Sequence, residues 1–499
     1  MTVRQDRPAL TAELSQWVYL LQLSDIPEEV VERLRYLILD GLGCAIVGSH
    51  LPWSEVGTHA VLSMEPEGPC SIWGYHKVLH RLPKVRISPH ADGIQKVGPL
   101  AAALLNSSFI QALELDDYHA ESPIHSSSVV LPALLALSQH AQSPPTDSQF
   151  ILAALVGYEL GPRVGFALWG GDILSRGWHS GSVFGPAAAA AASSKLLGLS
   201  ATEIEDAIGI ACTQACGLMS AQHGSMVKRM QHGFASRNGL FSALMASKGY
   251  TGIKGVLETP YGGFVSTFGN GATRNPPTTP HRITEGLGTT WEVQNIITKP
   301  YASMAATHGT IQCVRQIQDQ HPELLEDPEQ VEEIVVEMSE PAFKKGGWTP
   351  RQPVEFTSAQ MSAPYAAACQ IVDKAVLVGQ FTPSALDRDE IWAWVRKIRC
   401  VHNPDFDVNN RTAWFQRMRV VLREKAAETM EVFLEAPKGI RPALTNEEIR
   451  EKWDLLTQDI IDEERRRRIE HIVLSMGKGV DLKELVELLE MHIKKPSGF

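Results

Sequence analysis

Near residue 290 the apolar pattern of this chain changes period, and that switch restricts the fold more than any other feature. Before it, Ala12–Leu21, Pro27–Val47, Gly98–Leu113 and Val129–His140 carry apolar residues at three- and four-residue spacing, which predicts helices. Pro27 suits a first helical turn, where a missing N–H costs nothing. Gly185–Leu197 contains six successive alanines, which lose almost no side-chain entropy in a helix and let a neighbouring helix come close. Ser200 and Glu203 have the spacing of a capping box that opens the next helix. After the switch, Val331–Met338, Trp414–Leu422 and Thr429–Ala436 are rich in β-branched residues and predict strands, with a helical stretch, Ala359–Leu377, between them. A second capping box at Thr445 and Glu448 returns the chain to helix as far as Ile493. There is no internal repeat.

A chain of 499 residues exceeds one ordinary core and points to two domains, one split by the other. The reading is a mainly α protein. Its large all-helical domain comprises residues 1–290 and is completed by C-terminal helices over 439–499; a smaller α/β domain occupies 291–438. With 46 basic and 57 acidic residues the net charge is −11, which argues against nucleic acid as the main partner. Seven scattered cysteines form no Cys-x-x-Cys pair, so neither a zinc ribbon nor a disulfide frame is expected. Residues 1–10 lack an apolar signal core, no apolar run reaches the ~18 residues of a membrane span, and the final residues match no lipidation or peroxisomal address. The expected setting is cytoplasmic. His76–Ile94 holds three His, four Lys or Arg and two Pro without a clear period, and reads as a surface loop.

Three polar clusters are candidates for chemistry. Glu114-Leu-Asp116-Asp117-Tyr118-His119 and His125 lie in a loop between helices, where carboxylates beside imidazoles can tune a histidine for proton transfer. Capped helix ends and a metal site are the alternative readings of the same residues. His179 stands at the entrance to the alanine helix, as a candidate site residue or as a mere cap or packed ring. The run Gly217–Gly239 carries Lys228, Arg229 and His232. If it is helical from Ser225, Lys228 and His232 share a face and Arg229 turns about 100° away. Basic groups with several glycines suit an anionic ligand at a helix start, or a solvated basic face. Lys299, Tyr301 and His308 open the second domain, and Tyr365 follows. Arg465–Arg468, flanked by acids, reads as a solvated helix face. No Walker A, GxSxG or strand-linked GxGxxG motif is present.

Taken together, Tyr36-Leu-Ile-Leu-Asp-Gly41, Glu114-Leu-Asp-Asp-Tyr-His119, His125-Ser126, Ala207–Gln222, Met226-Val-Lys-Arg229 and Gln231-His-Gly233 resemble the MmgE/PrpD family, on the side of its fungal cis-aconitate decarboxylases. The likeness spans nearly the whole chain. It implies a helical domain with an α/β lid, a homodimer, a small tricarboxylate as the bound partner, and no metal or organic cofactor. Matched position by position, it implies His125, Lys228 and Tyr365 as catalytic groups. It further implies Glu114, Asp117, Tyr118, His179, Lys299 and His308 as substrate contacts. Glu114 stands where many relatives carry Asp, and Tyr118 where Thr is frequent. The Asp117-to-His125 interval is one residue longer than in many dehydratase-type members. The activity implied is loss of CO2 from cis-aconitate to give itaconate. Decarboxylation of an alkylated aconitate, dehydration of 2-methylcitrate, and tricarboxylate binding without catalysis are the competing readings. In the fungal relatives the equivalents of Gly74-Tyr75 run almost directly into those of residues 95–99. His76–Ile94 is therefore either an intron retained in the gene model or a tolerated surface insertion.

Overall fold

The computed structural model describes residues 9–76, 96–408, 414–422 and 429–499. Apart from His76, the odd segment 76–94 lies outside the described residues. The architecture is mainly α, with one four-stranded sheet and a two-residue ladder. No helix among the described residues is long and apolar enough to cross a membrane.

At the centre of the helical part runs the alanine helix, Ser180–Leu196, buried from residue 180 to 194. It packs against Asp147–Phe166, Gln231–Ala246 and Ser126–His140. Small residues on both sides permit that approach: a Cβ on Gly239 would overlap the Ala189 methyl. Pro186 sits inside this helix and cannot donate to the Ser182 carbonyl, which accepts instead from Cys216 N at 3.3 Å. A helix defect thus ties the 216–231 segment to the start of the alanine helix.

C-terminal helices Asn446–Thr457 and Glu463–Leu474 pack on Glu28–Gly48. Lys452 reaches between them, its Nζ 2.6 Å from Asp40 Oδ1 and 2.6 Å from the Leu115 carbonyl. Both capping boxes form as the spacing predicts, Ser200 with Glu203 and Thr445 with Glu448.

The sheet runs in the order 398–402, 331–338, 416–422, 429–434, its first pair parallel and the others antiparallel. Strand Ile398–His402 is absent from the sequence reading. Its five residues alternate only briefly, Ile398 and Cys400 being buried, and parallel pairing with residues 334–338 defines it. The expected helix over 359–377 is broken into Phe356–Gln360 and Ala363–Asp373. Ser362 caps the second piece, its Oγ accepting from Tyr365 N, and Pro364 occupies the first turn. Arg465 departs from a solvated face: it is buried and donates to the His492 and Met491 carbonyls. Arg466, Arg467 and Arg468 pair with Asp454, Glu463 and Glu484 as a surface run would.

Candidate active site

Four helix N-termini meet at one place. His125 and His179 are the N-cap residues of helices 126–140 and 180–196. Lys228 and Arg229 end a short 3-10 turn, Met226–Arg229, just ahead of helix 231–246. His308 is the first residue of helix 308–320. Helix N-termini carry partial positive charge and free N–H groups, a setting that favours anions and disfavours protonated histidine. The ladder between Tyr118–His119 and Ile296–Ile297 lays the 114–119 loop beside Lys299.

At the centre lies the Glu114 carboxylate. Lys228 Nζ is 2.5 Å and Arg229 Nη1 2.7 Å from its Oε1, and Lys299 Nζ is 3.2 Å from its Oε2. All four side chains are buried. Burial pushes the Glu114 carboxyl up, but Lys228, Lys299 and Arg229 together hold it well below the usual range. Counted formally, these three cations face the Glu114 carboxylate, and the buried Asp116 adds a second negative charge that Arg229 also feels, which leaves one positive charge in excess. Because residues 226–229 form a 3-10 turn rather than an α-helix, Arg229 does not point away from Lys228; both converge on Glu114.

Beside this cluster stand three imidazoles. The His232 ring lies 4.8 Å from His125 and 4.9 Å from His179. Asp116 Oδ2 is 3.0 Å from His125 Nδ1, close enough for an ion pair although out of line with the ring N–H. Burial lowers the His125 pKa, with Lys299 adding to it and Asp116 opposing. His179 is pushed well down by burial, then by Lys228 and His125. Its Nδ1 is 3.4 Å from Ser182 Oγ. The Ser128 hydroxyl donates to the His125 carbonyl at 3.0 Å, so it accepts from His232 Nδ1 at 3.1 Å. His232 is therefore the neutral Nδ1–H tautomer, its bare Nε2 packed on Gly181, where a Cβ would overlap the ring.

Of the residues singled out from sequence, Glu114, Lys228 and Lys299 come together, with His125 and His179 alongside. Tyr118 flanks them, its ring 5.6 Å from that of His125 and 6.0 Å from Lys299 Nζ. His308 packs edge-on against Tyr301, donates from Nε2 to the Ser303 carbonyl at 3.0 Å, and is pushed down to about 3 by burial and Lys299. Two residues are engaged elsewhere. Asp117 accepts from Ser127 N at 3.1 Å through both oxygens and caps helix 126–140. The Tyr365 hydroxyl lies 3.3 Å from the Gln380 and Ala385 carbonyls, and its ring packs with Phe381 and Trp392. Asp116, Arg229 and His232 lie in the polar clusters that the sequence marks, without a role in the position-by-position match, whereas Gln360 lies outside those clusters. Only proximity across the fold reveals Gln360, through its contacts with Arg229 and with the Leu113 and Ala302 carbonyls. Among the described residues no three His, Cys, Asp or Glu side chains group as a metal site would need.

A cleft of about 340 Å³ is lined by Ser182, Cys216, Leu218, Ala221, Val227 and Phe234 among others, and of these Ser182 contacts His179. Comparison with known proteins gives this geometry a family. Residues 12–275 match the MmgE/PrpD N-terminal domain and residues 301–478 the MmgE/PrpD C-terminal domain. The Aspergillus oryzae cis-aconitate decarboxylase-like protein oryM is 46% identical over 98% of this chain and 99% of its own. Cis-aconitate decarboxylase of Aspergillus terreus is 43% identical over 98% of both chains. The mouse cis-aconitate decarboxylase is 24% identical over 80% of this chain and 76% of its own. The chain belongs to the MmgE/PrpD family, and within it to the carboxy-lyase branch that its full-length fungal relatives represent.

Proposed function

We propose that this enzyme decarboxylates cis-aconitate to itaconate without an organic cofactor. The observation that carries the reading is the buried, positively charged cluster of Lys228, Arg229 and Lys299 around Glu114, set against His125 and its Asp116 partner. Breaking the bond to the CH2-carboxylate releases CO2 and leaves an electron pair that spreads through the double bond toward a remaining carboxylate. Protonation of the distal allylic carbon then gives the terminal methylene of itaconate. Such a step needs fixed positive charge near the developing enolate, which a preorganised donor supplies at about 3–4 kcal/mol, and one acid.

Lys228 and Lys299 grip carboxylates, His179 and Tyr118 shape the site, and His125 gives the proton. Burial keeps His125 neutral in the free enzyme, so its proton arrives with the substrate, whose negative charges oppose the burial effect. Asp116 then stabilises the imidazolium. The family's Tyr365 role is set aside, because its hydroxyl is engaged within the lid. In this reading residues 1–290 and 439–499 form the helical domain and 291–438 the lid, in a cytoplasmic homodimer whose mass light scattering would report.

His125→Ala should lower turnover about 100-fold or more while the protein stays folded. Near-normal turnover would remove His125 from the acid role. Incubation with cis-aconitate, an alkylated aconitate and 2-methylcitrate, assayed for CO2 and for water loss, tests the substrate. Water loss from methylcitrate would make the enzyme a dehydratase, and binding without turnover a tricarboxylate-binding relative. One observation favours the alkylated substrate as a second reading. The cleft lined by Leu218, Ala221, Val227 and Phe234 reaches Ser182, which contacts His179, and would take an apolar substituent.

A further inference from the structure

Gln360 ends the short helix 356–360, and its side chain is buried where three distant segments meet. Its Nε2 donates to the Leu113 carbonyl at 2.7 Å and to the Ala302 carbonyl at 2.7 Å. Its Oε1 accepts from Arg229 Nη2 at 2.6 Å. Both amide hydrogens thus meet carbonyls and the oxygen meets a guanidinium, which fixes the orientation of the amide. The Arg229 carbon lies 5.9 Å from the Phe356 ring, on the same short helix.

Each partner of this amide leads to the cation cluster. Leu113 immediately precedes Glu114, whose φ of 55° is left-handed and costs energy for a residue with a Cβ. Arg229 spends its other arm on the Glu114 carboxylate at 2.7 Å. Ala302 lies three residues beyond Lys299. One neutral side chain therefore holds the strained backbone before Glu114, the arginine that orients its carboxylate, and the segment carrying Lys299.

We propose that Gln360 is a positioning residue for anion binding: through Leu113, Arg229 and Ala302 it sets Glu114, and Glu114 sets the spacing of Lys228 and Lys299. The inference rests on the reading of those lysines as carboxylate grips. Gln360 touches no substrate. Its chemistry leaves little latitude, since Glu at this position would face two carbonyls with no hydrogen to offer, and Met would leave two carbonyls and a guanidinium arm unpaired.

The test is a double-mutant cycle of Gln360→Met and Arg229→Met, read in kcat, KM and hydrogen exchange of the 111–118 amides. Gln360→Met should lower kcat/KM about 10- to 100-fold, mainly through KM, the scale expected when binding groups shift by about 1 Å. The double variant should be no worse than the poorer single variant, because both act through Glu114. Exchange at 111–118 should rise equally in both singles. Additive losses, an unchanged KM, or exchange that rises only with global destabilisation would overturn the proposal. Gln360→Glu, nearly the same volume, serves if the Met variant does not fold, and should show the same KM effect. If the unaltered enzyme leaves cis-aconitate untouched, the functional reading fails, while the exchange cycle still decides the role of Gln360.

Discussion

Burial, with His125, His179 and Lys228 nearby, holds the His232 pKa well down, and its surroundings allow it only one state. Ser128 accepts from Nδ1, and Nε2 rests against Gly181 at the first turn of the alanine helix, where a proton would meet the positive end of the helix. Gly181→Ala would drive the ring toward His125 and His179. Overpacking of this kind costs about 1–3 kcal/mol, and turnover should fall more than the melting midpoint alone would account for. Full activity in Gly181→Ala would mean that the imidazole spacing is unimportant. His308 offers a test by pH. Its folded pKa is about 3 against the ordinary 6.5, so below pH 6.5 the unfolded chain takes a proton that the folded protein refuses. Stability therefore falls as pH drops from 6.5 toward 3, by up to about 1.4 kcal/mol per pH unit for this one group. In His308→Gln an amide can still donate to the Ser303 carbonyl but does not titrate. Urea midpoints of this variant at pH 7 and pH 5 should lie closer together than those of the unaltered protein; an equal gap would contradict the assignment.

Among the elements, the joint between helices 28–48 and 446–457 depends on one buried pair. Lys452 lies against Asp40 and also holds the Leu115 carbonyl beside Glu114. Burial alone pushes the Asp40 carboxyl up, and Lys452 is the main force opposing it. Lys452→Met would leave that acid uncompensated, at about 3–5 kcal/mol, measurable as a lower denaturant midpoint. Asp40→Leu with Lys452→Met should recover most of the loss. A single-variant cost below ~1 kcal/mol would show that the pair holds nothing together. The elements also explain what could be read in advance. Capping boxes at Ser200 and Thr445 are local, three residues from donor to acceptor, and both form. Strand 398–402 and the ladder of 118–119 with 296–297 owe their existence to partners far along the chain, which short alternation does not announce. The same divide runs through the site. His125 and His179 sit at the starts of helices that the apolar period and the alanine run mark. α-Helical spacing from Ser225 would turn Arg229 away from Lys228, but a 3-10 turn forms there and brings both to Glu114, and Gln360 carries no local signal of its role.

For the molecule as a whole, an acidic protein of net charge −11 buries a local cluster of three cations around Glu114, held by parts from residue 114 to residue 360. Long insertions are compatible with such a frame only where they leave and rejoin it at one point. His76 and Lys96, the described residues on either side of 77–95, meet at such a point. His76 Nδ1 and Lys96 Nζ each lie 3.0 Å from the carboxylate of Glu490, which also accepts from Ser71 Oγ at 2.5 Å. His76 N donates to the Glu490 carbonyl at 3.1 Å, and the Lys96 carbonyl accepts from Gly68 N at 3.0 Å. Both ends are anchored independently of what runs between them, and a bridge of roughly three residues, at about 3.3–3.6 Å each, would span two side chains that share one carboxylate. Replacing residues 77–95 with Gly-Ser-Gly should therefore leave the melting midpoint and the turnover of cis-aconitate unchanged. Shortening the chain between two fixed points alters closure entropy only slightly. A drop in the midpoint of more than about 5 °C, which corresponds to about 5 kcal/mol in a protein of this size, would show that the segment contributes to the stability of the body. Loss of turnover at an unchanged midpoint would show instead that it serves the site.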